Sequence, residues 1–337
     1  MTTRVDVAEC GTARCVTLPA SFRLPRHDGR LSSGAMTDLA QGSPTERVRT
    51  LAVFFGLVMC WGLLWPTMKI AVSEIPILPF RSITSLLSAS AMVVITLACG
   101  HSLRVPRDQW RALVIAGVFN VAAWLYFSAV GVSLLPAGRA ALIAYTMPVW
   151  AFLMGIPLLG ERVTTWRIIG LLLAMGGLAV LMGDDIVRLG EAPVGALVMV
   201  CAALAFAFGT VWQKHVQWRI AHLPMLTWQL IIGTVPMTLL ALPEFGSIGA
   251  VSWQAIAATL YAGLIAQVFG LGAYLWLVRR LPVKTSSLSM LLVPVCGLGA
   301  SAILLGERLG LAELIACGLI LAAIGTALAG GGTPQRR

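Results

Sequence analysis

The sequence predicts an all-α integral membrane protein of about ten transmembrane helices, built as two inverted five-helix repeats. Three observations predict it. Mean hydropathy is +0.88, with 58% hydrophobic and only 11% charged residues, whereas about 25% of a soluble domain is charged. Second, the stretch LPAGRAALIAYTMPVWAFLMGIPLLGER at 135–162 returns as LPVKTSSLSMLLVPVCGLGASAILLGER at 281–308. Pro136, Leu142, Pro148, Val149, Leu158, Leu159, Gly160, Glu161 and Arg162 reappear as Pro282, Leu288, Pro294, Val295, Leu304, Leu305, Gly306, Glu307 and Arg308, each 146 positions later. Pro, Gly, Glu and Arg are not interchangeable fillers of an apolar segment, so the gap-free match marks a copied unit. Third, the basic residues alternate between the two sides of the helices that the hydropathy defines.

Residues 1–49 are polar, rich in Arg, Asp, Gly, Pro and Ser, and without hydrophobic period, which reads as a disordered cytoplasmic tail. The tail has no apolar core of a secretory signal, and Asp6, Glu9, Asp28, Asp38 and Glu46 argue against a transit peptide. Translation from Met36 instead of Met1 is an alternative the sequence leaves open. Apolar windows follow at 50–72, 77–99, 110–131, 135–158, 165–183, 193–213, 222–242, 253–278, 282–305 and 311–330, each near the length that crosses a bilayer as a helix. Membrane β-strands need only about 9–11 residues of alternating character. The acidic break with Asp184, Asp185 and Glu191 divides the chain into a first repeat at 50–184 and a second at 193–330, followed by a basic cytoplasmic tail at 331–337.

With the N-terminus in the cytoplasm, fourteen basic residues fall on that side: Arg47, Arg49, Arg104, Arg107, Arg111, Arg162, Arg167, Lys214, Arg219, Arg279, Arg280, Lys284, Arg336 and Arg337. Five fall opposite: Lys69, Arg81, Arg139, Arg188 and Arg308. The bias predicts both termini inside. The net charge of +10 is therefore topological, and no nucleic-acid partner is expected. The seven cysteines form no CxxC pair and read as small packing residues, so neither a metal nor a cofactor is expected.

An odd number of helices per copy turns the second copy upside down, and inverted repeats of this kind serve alternating access in secondary transporters. Pro148 and Pro294 lie 12 residues past Pro136 and Pro282, about 18 Å into the membrane at about 1.5 Å per residue. Each frees a carbonyl four residues earlier, either lining a substrate site or only kinking the bundle. Helical spacing puts Trp61, Trp65 and Lys69 on one face, Arg81, Ser85 and Ser88 on another, Asn120 beside Trp124, and Arg139, Thr146 and Trp150 roughly in line. The second repeat offers Trp212, Gln229, Gln267, Tyr274, and Ser286 with Ser289. A cavity with such walls suits an amphipathic small molecule with a polar or carboxylate end. Three alternatives stand beside this: Lys69, Arg81 and Arg139 can snorkel to the interface, the indoles can be bundle packing, and the amides can bond one helix to another.

Trp61-Gly62, Lys69, Arg81, the AGRAAL run at 137–142 with Tyr145 and Pro148, and LLGER before a glycine-rich helix resemble the EamA family of the drug/metabolite transporter superfamily, over about residues 50–330. Gly62 and Trp65 are echoed at Gly209 and Trp212. The resemblance implies a ten-helix inner-membrane carrier of bacteria, in most members an exporter of amino acids and other small metabolites, with the bilayer and a small molecule as its partners. All acidic residues fall in loops or at helix ends by this reading, so exchange or facilitated export is expected before proton-driven efflux of drugs. A membrane sensor is the non-transporting alternative. No GxSxG, HExxH or phosphate-cradling loop occurs, and the four histidines lie at membrane edges or in the tail, so no catalytic residue is expected.

Overall fold

The computed structural model describes residues 44–160, 163–189, 194–280 and 283–330. Among these, the long regular segments are all helical: α1 (Pro44–Glu74), α2 (Ile77–Ala98), α3 (110–134), α4 (Ala137–Leu159), α5 (Thr165–Leu189), α6 (Val194–His215), α7 (His222–Ala241), α8 (253–280), α9 (Val283–Leu305) and α10 (Leu311–Gly330). Seven helices are long and apolar enough to cross a membrane, and three shorter apolar stretches at Ile168–Leu181, Leu292–Leu305 and Leu311–Thr326 fall in the other three windows. The outer surface is apolar, with Phe55, Val94, Leu172, Leu239, Phe269 and Ile303 exposed, as a lipid-facing surface must be.

The helix boundaries follow local chemistry. Pro76 and Pro136 stand before α2 and α4 at φ −54° in extended conformation, stopping the preceding helix and starting the next. Gly160 and Gly306 lie at φ +63° and +66° after α4 and α9, a left-handed backbone that a side chain would strain, and they are 146 positions apart.

Two pairs of corresponding helices, α5 with α10 and α2 with α7, pack on each other in antiparallel fashion. In the α5–α10 pair, Gly170 faces Thr326 and Ala323, whereas Gly177, further along, faces Ile320 and Ala316. In the α2–α7 pair Ser82 bonds Thr238 at 3.0 Å and Thr96 meets Thr227 at 2.7 Å. Exchange of the copies maps the remaining large interfaces onto one another: α1 on α9 matches α6 on α4, α1 on α8 matches α6 on α3, and α2 on α8 matches α7 on α3. An internal twofold relates the copies, as the inverted repeat requires.

Small residues permit these contacts. A Cβ at Gly209 of α6 would stand 2.3 Å from Asn120 Oδ1 and 2.9 Å from the Asn120 backbone nitrogen. A Cβ at Gly270 of α8 would stand 2.3 Å from Trp61 Nε1. Gly209 meets rigid backbone, so Gly209→Val is expected to cost about 1–3 kcal/mol of stability. Gly299→Ala, with open space around it, should change little. Unfolding midpoints of the purified variants in detergent check the pair.

The duplicated prolines behave differently. In α4 the helix breaks at Tyr145–Thr146 and restarts at Met147, whereas α9 runs without a break through Pro294. Thr146 Oγ1 donates to Ile143 O at 2.6 Å and accepts from Trp150 Nε1 at 3.0 Å, so two side chains hold the break. The second copy has Leu292 and Cys296 at those places and lacks both groups. Pro148 ends on the exposed surface, and Pro294 is buried.

Candidate functional site

Both third helices switch from α to π geometry at equivalent places, Val118–Ala123 in the first copy and Tyr261–Phe269 in the second. One extra residue in a turn shifts the carbonyls off their helical donors and re-aims the side chains, a feature frequent at functional sites. Helix α8 uses the shifted carbonyls to bind its neighbours. Trp61 Nε1 donates to Ala266 O at 2.9 Å, Cys60 Sγ to Ile265 O at 3.4 Å, and Ser88 Oγ lies 2.7 Å from Gly263 O. Each π segment carries one amide, Asn120 in the first and Gln267 in the second.

Beside the second π segment, and just past the end of the first, lies a small cavity of about 30 Å³. Helix α1 contributes Leu64, Trp65 and Met68, α2 contributes Arg81, Thr84, Ser85 and Ser88, α3 contributes Trp124, Leu125 and Ser128, α7 contributes Leu230, and α8 contributes Ala262 and Gln267. Trp65 and Trp124 meet edge to face at 6.5 Å, and Tyr145 backs Trp65 at 6.4 Å. Arg81 is 4% exposed. Its Nη2 donates to Ser128 Oγ at 2.7 Å and to Met68 Sδ at 2.8 Å, its guanidinium sits 5.2 Å from the Phe80 ring centroid, and its Nε has no partner.

The candidate residues therefore separate into groups. Trp65, Arg81, Trp124 and Gln267 meet in the cavity, with Tyr145 behind them. Asn120 lies in the seam to α7, where its Nδ2 donates to Gln229 Oε1 at 3.3 Å. Trp61 packs at 5.7 Å on Tyr274 outside the cavity. Trp212 donates to Ala112 O at 3.0 Å and stacks on Phe208 at 6.2 Å. Neither Pro148 nor Pro294 lines the space. The side chains of Ser286 and Ser289 lie outside the described residues. Ser128 and Met68 were absent from the sequence reading, although Ser128 stands four residues beyond Trp124 on the same helical face.

A second polar cluster sits where α4 begins. Arg139 Nε donates to Glu313 Oε1 at 2.6 Å, with both side chains buried and one from each copy. Glu307 accepts from the backbone N–H groups of Ala137 at 2.6 Å and Gly138 at 3.0 Å, capping the first copy's α4 with the second copy's GER turn. Lys69 Nζ donates to Val132 O, Ser133 O and Leu135 O at 2.7, 3.1 and 2.8 Å, closing the end of α3. None of the three basic residues snorkels: Arg81 faces the cavity, Arg139 is ion-paired, and Lys69 is a helix cap.

Two antiparallel five-helix copies around a seam cavity define the fold of a membrane carrier. The EamA-like transporter family model matches residues 49–183 and 193–329, and the chain belongs to that family. It is 29% identical over 289 residues to the uncharacterized transporter YvbV of Bacillus subtilis, covering 82% of this chain and 91% of that one. It is 25% identical over 282 residues to a protein of Escherichia coli named as a probable amino-acid metabolite efflux pump, covering 79% and 90%. A solved crystal structure superimposes with a TM-score of 0.58 at 22% identity, over 83% of this chain and 96% of the other, a likeness of fold alone. The protein is a multi-pass transporter, not an enzyme, and relatives named as inner membrane transporters place it in the bacterial inner membrane.

Proposed function

We propose that the protein exports or exchanges amino acids or similar small metabolites across the cytoplasmic membrane by alternating access, with both termini in the cytoplasm. The observation that carries this reading is the seam cavity, walled by helices of both copies and faced by Trp65 and Trp124. A solute held there touches elements that a rocking motion about the internal twofold would separate first on one side and then on the other. The ion pair Arg139–Glu313 and the Glu307 cap tie the copies together at one end of that seam, so opening that end requires breaking them. Both carboxylates of this cluster are engaged by Arg139 or backbone N–H groups, which supports solute exchange over a proton relay.

Counterflow in proteoliposomes tests the reading. Unlabelled leucine or phenylalanine inside the vesicles is expected to drive uptake of the labelled amino acid. Trp65→Ala, at matched protein amount, is expected to lower the rate at least about tenfold because the aromatic wall is lost. Absence of counterflow with a panel of amino acids and related metabolites would contradict export of this class.

A further inference from the structure

We propose that the cavity selects its solute by one carboxylate, gripped by Arg81 and Gln267, and does not read a substrate amine, so that organic monocarboxylates with an apolar body are carried whether or not they bear a free ammonium group. This deepens the transport reading above and rests on it.

Arg81 is a buried cation without an anion. Among the described residues no carboxylate lies within ion-pair distance of it, and its partners are a hydroxyl, a thioether and the face of Phe80. The other buried or half-buried cations of the bundle are better served: Arg139 has Glu313, and Lys69 has three carbonyls. A charge removed from water and left uncompensated is costly, and the cost falls when a ligand brings the opposite charge. Arg81 Nε has no acceptor, so part of the planar fork that suits a carboxylate is unoccupied.

Gln267 supplies a second, independent sign. Its amide lines the cavity with no hydrogen-bond partner among the described residues. Asn120, the amide of the other π segment, bonds Gln229. One copy thus spends its amide on the helix seam, and the other leaves it facing the solute space. The rest of the wall decides what body the anion has. Leu64, Trp65, Trp124 and Leu230 are apolar or aromatic, which favours an organic solute over a small inorganic anion. The lining contains no Asp or Glu, so a substrate ammonium finds no counter-charge there.

The test compares matched solutes on the purified full-length protein in nanodiscs, by titration calorimetry. The three acids leucine, N-acetylleucine and 4-methylpentanoate are expected to bind within about tenfold of one another. Leucinamide and 4-methylpentanamide are expected to bind at least about 30-fold more weakly, the range that charge-assisted hydrogen bonds supply. Arg81→Gln should abolish the difference between acid and amide, and Arg81→Lys should restore part of it. If the Arg81 variants do not fold, the solute series on the unaltered protein still decides. Amides binding as tightly as acids would overturn the proposal, as would preference for the cationic leucinamide or binding of chloride alone. Leucine counterflow without acid–amide discrimination would sink the carboxylate grip and leave the transport reading standing. Absence of both counterflow and binding would sink both.

Discussion

Arg139→Met is expected to cost about 3–5 kcal/mol of stability, among the largest effects of any single substitution in the chain. The reason lies in what remains. Glu313 is 7% exposed at the start of α10, and its carboxylate would stay buried without the guanidinium that now stands 2.6 Å away. The two residues are 174 positions apart and belong to different copies, so the loss also loosens the contact between repeats at that end of the seam. Arg139→Met combined with Glu313→Leu removes both charges and keeps the volume roughly filled, and is expected to recover most of the stability. Unfolding of the four proteins of this cycle in detergent, followed by circular dichroism, checks the coupling. Additive losses would show that the pair is not the reason for the buried charges.

Lys69→Met is expected to cost about 2–4 kcal/mol, because one ammonium serves three carbonyls at the end of α3. The last carbonyls of a helix have no donor of their own, and Pro136 behind them supplies no N–H. The positive charge also meets the negative end of the helix dipole. Methionine keeps the stem and its packing but leaves three carbonyls bare. Reduced protein yield together with a lowered unfolding midpoint is the expected readout. An unchanged midpoint would mean that water reaches those carbonyls.

The fold was legible because independent signals converged on it. Hydropathy marks about ten apolar windows, the offset of 146 divides them into two copies of five, an odd number per copy sets the copies opposed, and the left-handed Gly160 and Gly306 fall at the matching places. The site was legible in part. Trp65, Arg81, Trp124 and Gln267 share a cavity, but the roles of the basic residues were open, since a lysine or arginine near a helix end looks the same whether it caps, pairs or faces a solute. Their partners lie 66 positions away for Lys69 and Leu135, and 47 for Arg81 and Ser128, beyond the reach of helical spacing. The π segments left no trace in an apolar pattern, because one extra residue in a lipid-facing run changes little hydropathy. One amide in each third helix, Asn120 and Gln267, 147 positions apart and so within one residue of the repeat offset of 146, is the signal that could have pointed to them. Identical prolines gave different helices because Thr146 and Trp150 hold the break in one copy and are replaced by Leu292 and Cys296 in the other.

Alternating access at the seam is tested most directly by the reach of the cavity from each side of the membrane. Ser85 lines the cavity and is 2% exposed, and Ser85→Cys in a chain whose seven native cysteines are replaced places one thiol there with little change in shape. An impermeant methanethiosulfonate is expected to modify that thiol in both right-side-out and inside-out vesicles, and a transported solute is expected to slow both reactions. Modification from one side only, in protein that still carries out counterflow, would contradict a cavity opened in turn to the two compartments.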